Sequence, residues 1–179
     1  MPSEKSQASL SSRRRMLQGS LAALFAIGLR EAEAHALRVG ASAPPASLVT
    51  LDGQRIATAD LLGQVLILTF WATWCEPCRE ELPLLSGYAL RHADQGLRVL
   101  AFSLDGPERL PEVRRVADAL SFPVGLLAHS SAPGYGRIWR LPVSFTIDRA
   151  GRLAENGWDS RSPALTSERL ERVVTPLLE

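Results

Sequence analysis

Leu68-Thr69-Phe70-Trp71-Ala72-Thr73-Trp74-Cys75-Glu76-Pro77-Cys78-Arg79-Glu80-Glu81-Leu82-Pro83 decides how this chain folds. Its first half completes the apolar run Val65 to Thr73, which reads as a strand buried on both faces. Its second half opens a helix, because Pro77 suits a first turn that needs no N–H from it. Between strand and helix stand the two cysteines of the protein, three residues apart. That spacing at a helix start puts two thiols in one local frame, the first exposed to attack a partner and the second close enough to resolve it. Unpaired N–H groups and the helix dipole stabilise a thiolate at Cys75. The pattern implies a thiol-disulfide exchange centre.

Three other uses of the pair compete. A structural disulfide across so short a loop removes only about 2 kcal/mol of unfolded-state entropy, well below what long-loop staples supply. Half of a zinc site would need four ligands, and His35, His92 and His129 stand at no ligand spacing. Inert buried cysteines are disfavoured because Cys75 would open a helix at a strand end. No metal site is expected.

Working outward, the 179 residues carry a formal charge of +1, with 46% hydrophobic and 22% charged. That balance gives no footprint for nucleic acid or for acidic substrates. Gly134-Tyr135-Gly136 reads as a loop, and no nucleotide motif is present. Residues 1–36 read as an export signal. Ser12-Arg13-Arg14-Arg15-Met16-Leu17-Gln18 leads into an apolar run to Leu29, and Ala34-His35-Ala36 offers a small-x-small cleavage site. Arg13 and Arg14 resemble a twin-arginine signal, although a general secretory leader or an uncleaved anchor is compatible with the same residues. Residues 37–45 form an extended entry, and residues 46–179 one domain, working where disulfides persist.

Asp52-Gly53 marks a hairpin between strands near Ala46 to Leu51 and Arg55 to Thr58. A helix is predicted from Pro77 to about Asp94, kinked at Pro83 and stopped by Gly96. Leu97 to Ser103 reads as a second buried strand, Pro111 to Leu120 as a helix, and Pro123 to Leu127 as a short strand. Val143 to Ile147 and Arg152 to Glu155 form a closing hairpin, and a last helix begins near Ser162-Pro163. The sum is an α/β fold, a central mixed sheet flanked by helices on both faces with an N-terminal β-hairpin extension.

From about Val39 onward the chain resembles the thioredoxin-like superfamily, within it the exported TlpA-type and ResA-type thiol-disulfide oxidoreductases. The stretch Leu68 to Pro83 carries the resemblance, with Leu141-Pro142 before Val143-Ser144-Phe145-Thr146-Ile147. The resemblance implies that Cys75 attacks and Cys78 resolves. It implies that Pro142 is a cis-proline facing the disulfide, with the backbone before it, at Leu141, pairing with the substrate chain. The buried aspartate of cytoplasmic thioredoxins falls at Thr69, so that proton acceptor is missing. Glu81 matches the acidic residue that ResA-type proteins keep near the thiols, where it could relay a proton; Glu80 reads as solvated. Trp71 is expected in the core, and Trp74, with Glu76 and Pro77, on the docking surface. Trp139 suits either the core or that surface.

The mechanism expected is reductive and needs no cofactor. Cys75 attacks a disulfide in another exported protein, Cys78 releases the product, and a membrane thiol donor recharges the pair. Glu76 between the cysteines weakly favours this direction. The resemblance suggests apocytochrome c or copper sites under assembly as targets, and a monomer is expected. An oxidase using the same centre, a thiol peroxidase and a copper or haem chaperone are the alternatives.

Overall fold

The computed structural model describes residues 37–161 and 164–179. The export signal expected over residues 1–36 and the helix start expected at Ser162-Pro163 lie outside the described residues.

Every residue of β3 (Val65–Trp71) is buried, which makes it the centre of a sheet covered on both faces. On one side β4 (Leu97–Ser103) runs parallel to it, Val65 opposite Leu97 and Trp71 opposite Ser103. On the other side β6 (Val143–Ile147) is antiparallel and sets Thr69 opposite Ser144. With β5 (Val124–Leu126) beside β4 and β7 (Leu153–Glu155) beside β6, the strand order is β5-β4-β3-β6-β7. This is the mixed sheet the sequence predicts. A separate two-stranded sheet pairs β1 (Ser47–Val49) with β2 (Arg55–Ala57), and Gly53 supplies the left-handed turn residue at φ 89°.

Helix α1 (Glu76–Arg91) links β3 to β4, and α2 (Leu110–Ala117) links β4 to β5. Two right-handed crossovers taken in the same direction put both helices on one face. There Leu82 and Leu85 of α1 and Val113 of α2 share a core with Ile67, Trp71 and Val99. Leu170 of α3 (Ser167–Val173) joins the same core, as does Leu178 of α4 (Thr175–Leu178). The opposite face holds Leu66, Leu68, Phe70, Phe102 and Phe145 beneath Leu48 of the hairpin and Tyr135. Among the described residues, short 3₁₀ turns such as Thr58–Leu61 and Pro133–Tyr135 add cover on that face.

Boundaries differ from the sequence reading for local reasons. Helix α1 runs through Pro83 and stops at Arg91, because His92 leaves the helical region and a 3₁₀ turn over Ala93–Gln95 leads to Gly96 at φ 82°. Helix α2 ends at Ala117, short of Leu120. Helix α3 begins at Ser167, capped by Thr166, whose hydroxyl accepts from the Arg169 N–H at 3.2 Å.

The hairpin lies so close to β5 that a Cβ at Gly125 would overlap the Val49 carbonyl oxygen. Backbone cannot swing aside as a side-chain tip can. Gly125→Ala is therefore expected to lower stability by about 1–3 kcal/mol, read as a lower denaturant midpoint.

Candidate active site

Cys75 is the N-cap of α1, and its Sγ accepts from the Cys78 N–H at 3.3 Å. The two sulfurs form a disulfide. Glu76 and Pro77 fill the first turn. A sulfur at this cap meets the N–H groups that a helix leaves unpaired, the environment that favours a thiolate once the bond is reduced.

Access to the sulfurs is unequal. Cys78 is fully buried and Cys75 is 6% exposed, less open than an attacking thiol at a helix start suggests. The reason is local: the disulfide and the N–H contact draw its Sγ back over the first turn, against the core that holds Trp71 and Leu82. What opening remains is a groove of about 330 Å³. Trp74, Cys75, Glu76, Pro77 and Leu141 line it, as do Leu104, Ile138 and Trp139. Cys78, Glu81 and Pro142 do not. Pro142 is buried just beyond Leu141, and the bond between them is cis.

Two groups fix this geometry that sequence reasoning missed. Asp105, just past β4, is buried and accepts from the Thr73 N–H at 2.8 Å and the Thr73 hydroxyl at 2.7 Å. Ser103 donates to the same carboxyl at 2.8 Å, so the turn leading to Cys75 is tied to the end of β4. The signal was Ser103-Leu104-Asp105 at a strand end, which resembles an ordinary polar turn. The second group is Trp158, on which Trp139 stacks at 5.5 Å between centroids and 10° between planes. Trp139 belongs to the surface, at 71% exposed, as does Trp74 at 61%, whereas Trp71 is wholly in the core.

Glu81 lies one turn past Cys78 on α1, buried beneath the sheet face that carries Thr69. Because β3 and β6 set Thr69 opposite Ser144, both hydroxyls point at the same spot. Glu81 Oε1 is 3.4 Å from the Thr69 hydroxyl and 3.3 Å from that of Ser144, and Oε2 accepts from the Leu165 N–H at 2.7 Å. Ser144 also lies 3.0 Å from the Thr69 oxygen, and one hydroxyl proton cannot serve both acceptors. The donors therefore under-supply a carboxylate. Burial pushes the Glu81 carboxyl up to about 7, against the opposing pull of the Leu165 N–H, the two hydroxyls and the Arg169 charge. Near neutral pH it holds a proton part of the time.

Residues 39–155 match the model of the AhpC/TSA family. The chain is 30% identical over 124 residues to the thiol-disulfide oxidoreductase ResA of Bacillus cereus, covering 69% of this chain and 72% of that protein. It is 33% identical over 122 residues to the thioredoxin-like protein YneN of Bacillus subtilis, covering 66% and 71%. A solved thiol:disulfide interchange protein of the thioredoxin family from Chlorobium tepidum superposes with a TM-score of 0.63 at 29% identity, over 79% of this chain and 98% of that one.

Proposed function

The chain belongs to the AhpC/TSA family of thioredoxin-like proteins and is a thiol-disulfide oxidoreductase, and we propose that it is an exported reductase of disulfides in other exported proteins. The observation that supports this reading best is the one-sided access to the pair: Cys75 lines a groove and Cys78 is fully buried behind it.

In the proposed cycle the Cys75 thiolate attacks one sulfur of a substrate disulfide, forming a mixed disulfide and expelling the other substrate sulfur as thiolate. Cys78 then attacks Cys75, and the second substrate thiolate leaves. Two electrons pass from the dithiol to the substrate, and the protein is left oxidised. Only the two thiols are needed, so no cofactor enters. Trp74, Glu76, Pro77 and Leu141 receive the substrate chain, with Pro142 fixing the backbone beside it. Glu81 supplies or takes the proton that Cys78 exchanges. A membrane thiol donor recharges the pair, and the leader over residues 1–36 carries the domain of residues 46–179 out of the cytoplasm. Apocytochrome c and copper sites under assembly are the targets this reading favours.

Glu76 at the first turn supports the reductive direction, since a negative neighbour disfavours a thiolate at Cys75. The test is the reduction potential of the Cys75/Cys78 pair, measured by equilibration with a thiol buffer of known potential. A value near the thioredoxin figure of about −270 mV is expected; one near −120 mV would make the protein an oxidant. Catalytic turnover of hydrogen peroxide would instead identify a thiol peroxidase.

A further inference from the structure

Four tryptophans occur in the chain, and the two that are left largely exposed, Trp74 and Trp139, line the same groove beside Cys75. Exposed indole costs hydration free energy, and two of them at one spot mark a surface that something covers. Trp139 is also held ready. It stacks on Trp158, whose indole N–H donates to the Tyr135 carbonyl at 3.0 Å and whose ring meets Phe145 edge-on at 5.9 Å. Arg140 lies over both indoles, at 5.3 Å and 5.8 Å, and donates to the Gly157 carbonyl at 3.0 Å. An aromatic anchor immobilised before contact loses little entropy on binding.

What fills the groove is constrained by its walls. Any substrate must bring a sulfur to Cys75. The groove, about 330 Å³, takes a side chain or two from an extended segment rather than a folded surface. Its lining is apolar except for Glu76, the one charged residue among the described residues that line it; the Arg140 guanidinium is engaged with the indoles and is not among them. We propose that Trp74, Trp139 and Glu76 form a selectivity clamp for extended, cysteine-bearing segments that carry an aromatic side chain and a cationic side chain next to the reacting cysteine. The aromatic ring fills the space between the indoles, and the cation meets the Glu76 carboxylate. This rests on the reductase reading and adds to it the class of segment reduced.

The test uses the reduced protein and short peptides whose single cysteine is joined to glutathione. Reduction releases the peptide thiol and glutathione, and leaves Cys75 and Cys78 as a disulfide, so electrons balance without another reagent. One peptide places Phe and Arg beside the cysteine, a second replaces Phe by Gly, and a third replaces Arg by Glu. The readout is the ratio of second-order rate constants within one protein, which cancels differences in potential and nucleophilicity between variants. The Phe peptide is expected to react about tenfold faster than the Gly peptide, or ~1.4 kcal/mol. Trp139→Ala should reduce that ratio to below about twofold, while Trp139→Phe keeps most of it, as loss and retention of an aromatic anchor require. The Arg peptide should outpace the Glu peptide about threefold, a rim-charge effect that Glu76→Lys inverts. Ratios near one with all peptides reduced, or ratios indifferent to Trp139→Ala, would overturn the clamp and leave the reductase standing. Failure to reduce any peptide, or hydroxyethyl disulfide, would remove the reductase reading and the clamp with it.

Discussion

Cys75→Ser is expected to abolish disulfide reduction, by more than about 10³-fold, whereas Cys78→Ser is expected to stop after the first step with the substrate covalently attached. The asymmetry follows from access. Cys75 lines the groove and its sulfur faces the Cys78 N–H at the head of α1, so it can meet an incoming disulfide as a thiolate. A hydroxyl there has no comparable ionised fraction. Cys78 is fully buried behind Cys75, and in the proposed cycle its task is to release the adduct. Without it the mixed disulfide persists, visible as an increase in intact mass equal to the attached substrate half and reversed by dithiothreitol. Loss of the internal bridge costs only about 2 kcal/mol for a loop this short, so unfolding does not explain a loss of that size. An adduct on the Cys75→Ser variant, with none on Cys78→Ser, would reverse the two roles.

The parts of this site that could be read in the sequence are those in which one segment carries the whole signal. Val65 to Trp71 is apolar but for Thr69, without alternation, which suits a strand covered on both faces, and Pro77 between the cysteines marks a first helical turn. Neighbouring positions sufficed to place strand, cysteines and helix in order. The start of α3 at Ser167 is set by its cap, the Thr166 hydroxyl. The surroundings of Glu81 were out of reach for a different reason. Ser144 is 63 residues away and Leu165 is 84, brought in by the register of β6 on β3 and by the chain entering α3. Asp105 and Trp158 belong to the same class: an aspartate after a strand and a tryptophan after a hairpin have no role until the chain has folded around them. That α1 and α2 share one face follows from two same-direction crossovers, a property of strand order that no single segment carries.

Glu81→Gln is expected to flatten the pH dependence of both stability and exchange. In the folded protein the Glu81 carboxyl is raised from its ordinary 4.5 to about 7, with burial as the main cause. At pH values below 4.5 the group is neutral in both states, and the stability that its neutral form contributes is fully present. As pH rises past 4.5 the unfolded chain ionises first, so folding stability declines, and the loss is complete above about 7, where the folded protein ionises too. That displacement corresponds to about 3 kcal/mol across the window. Glutamine keeps the acceptor for the Leu165 N–H and brings donors toward the Thr69 and Ser144 oxygens, so the buried site stays filled and bonded without a titrating group. The oxidised variant should therefore match the parent near pH 4 and exceed it by up to about 3 kcal/mol near pH 8, measured by denaturant unfolding. The same substitution should remove an inflection near neutral pH from the rate of disulfide exchange, because a carboxyl that half-holds its proton there is suited to pass one to or from Cys78. A stability curve that keeps its slope in Glu81→Gln would assign the titration to another group, and an unchanged rate profile would leave Glu81 a buried structural acid with no part in proton transfer.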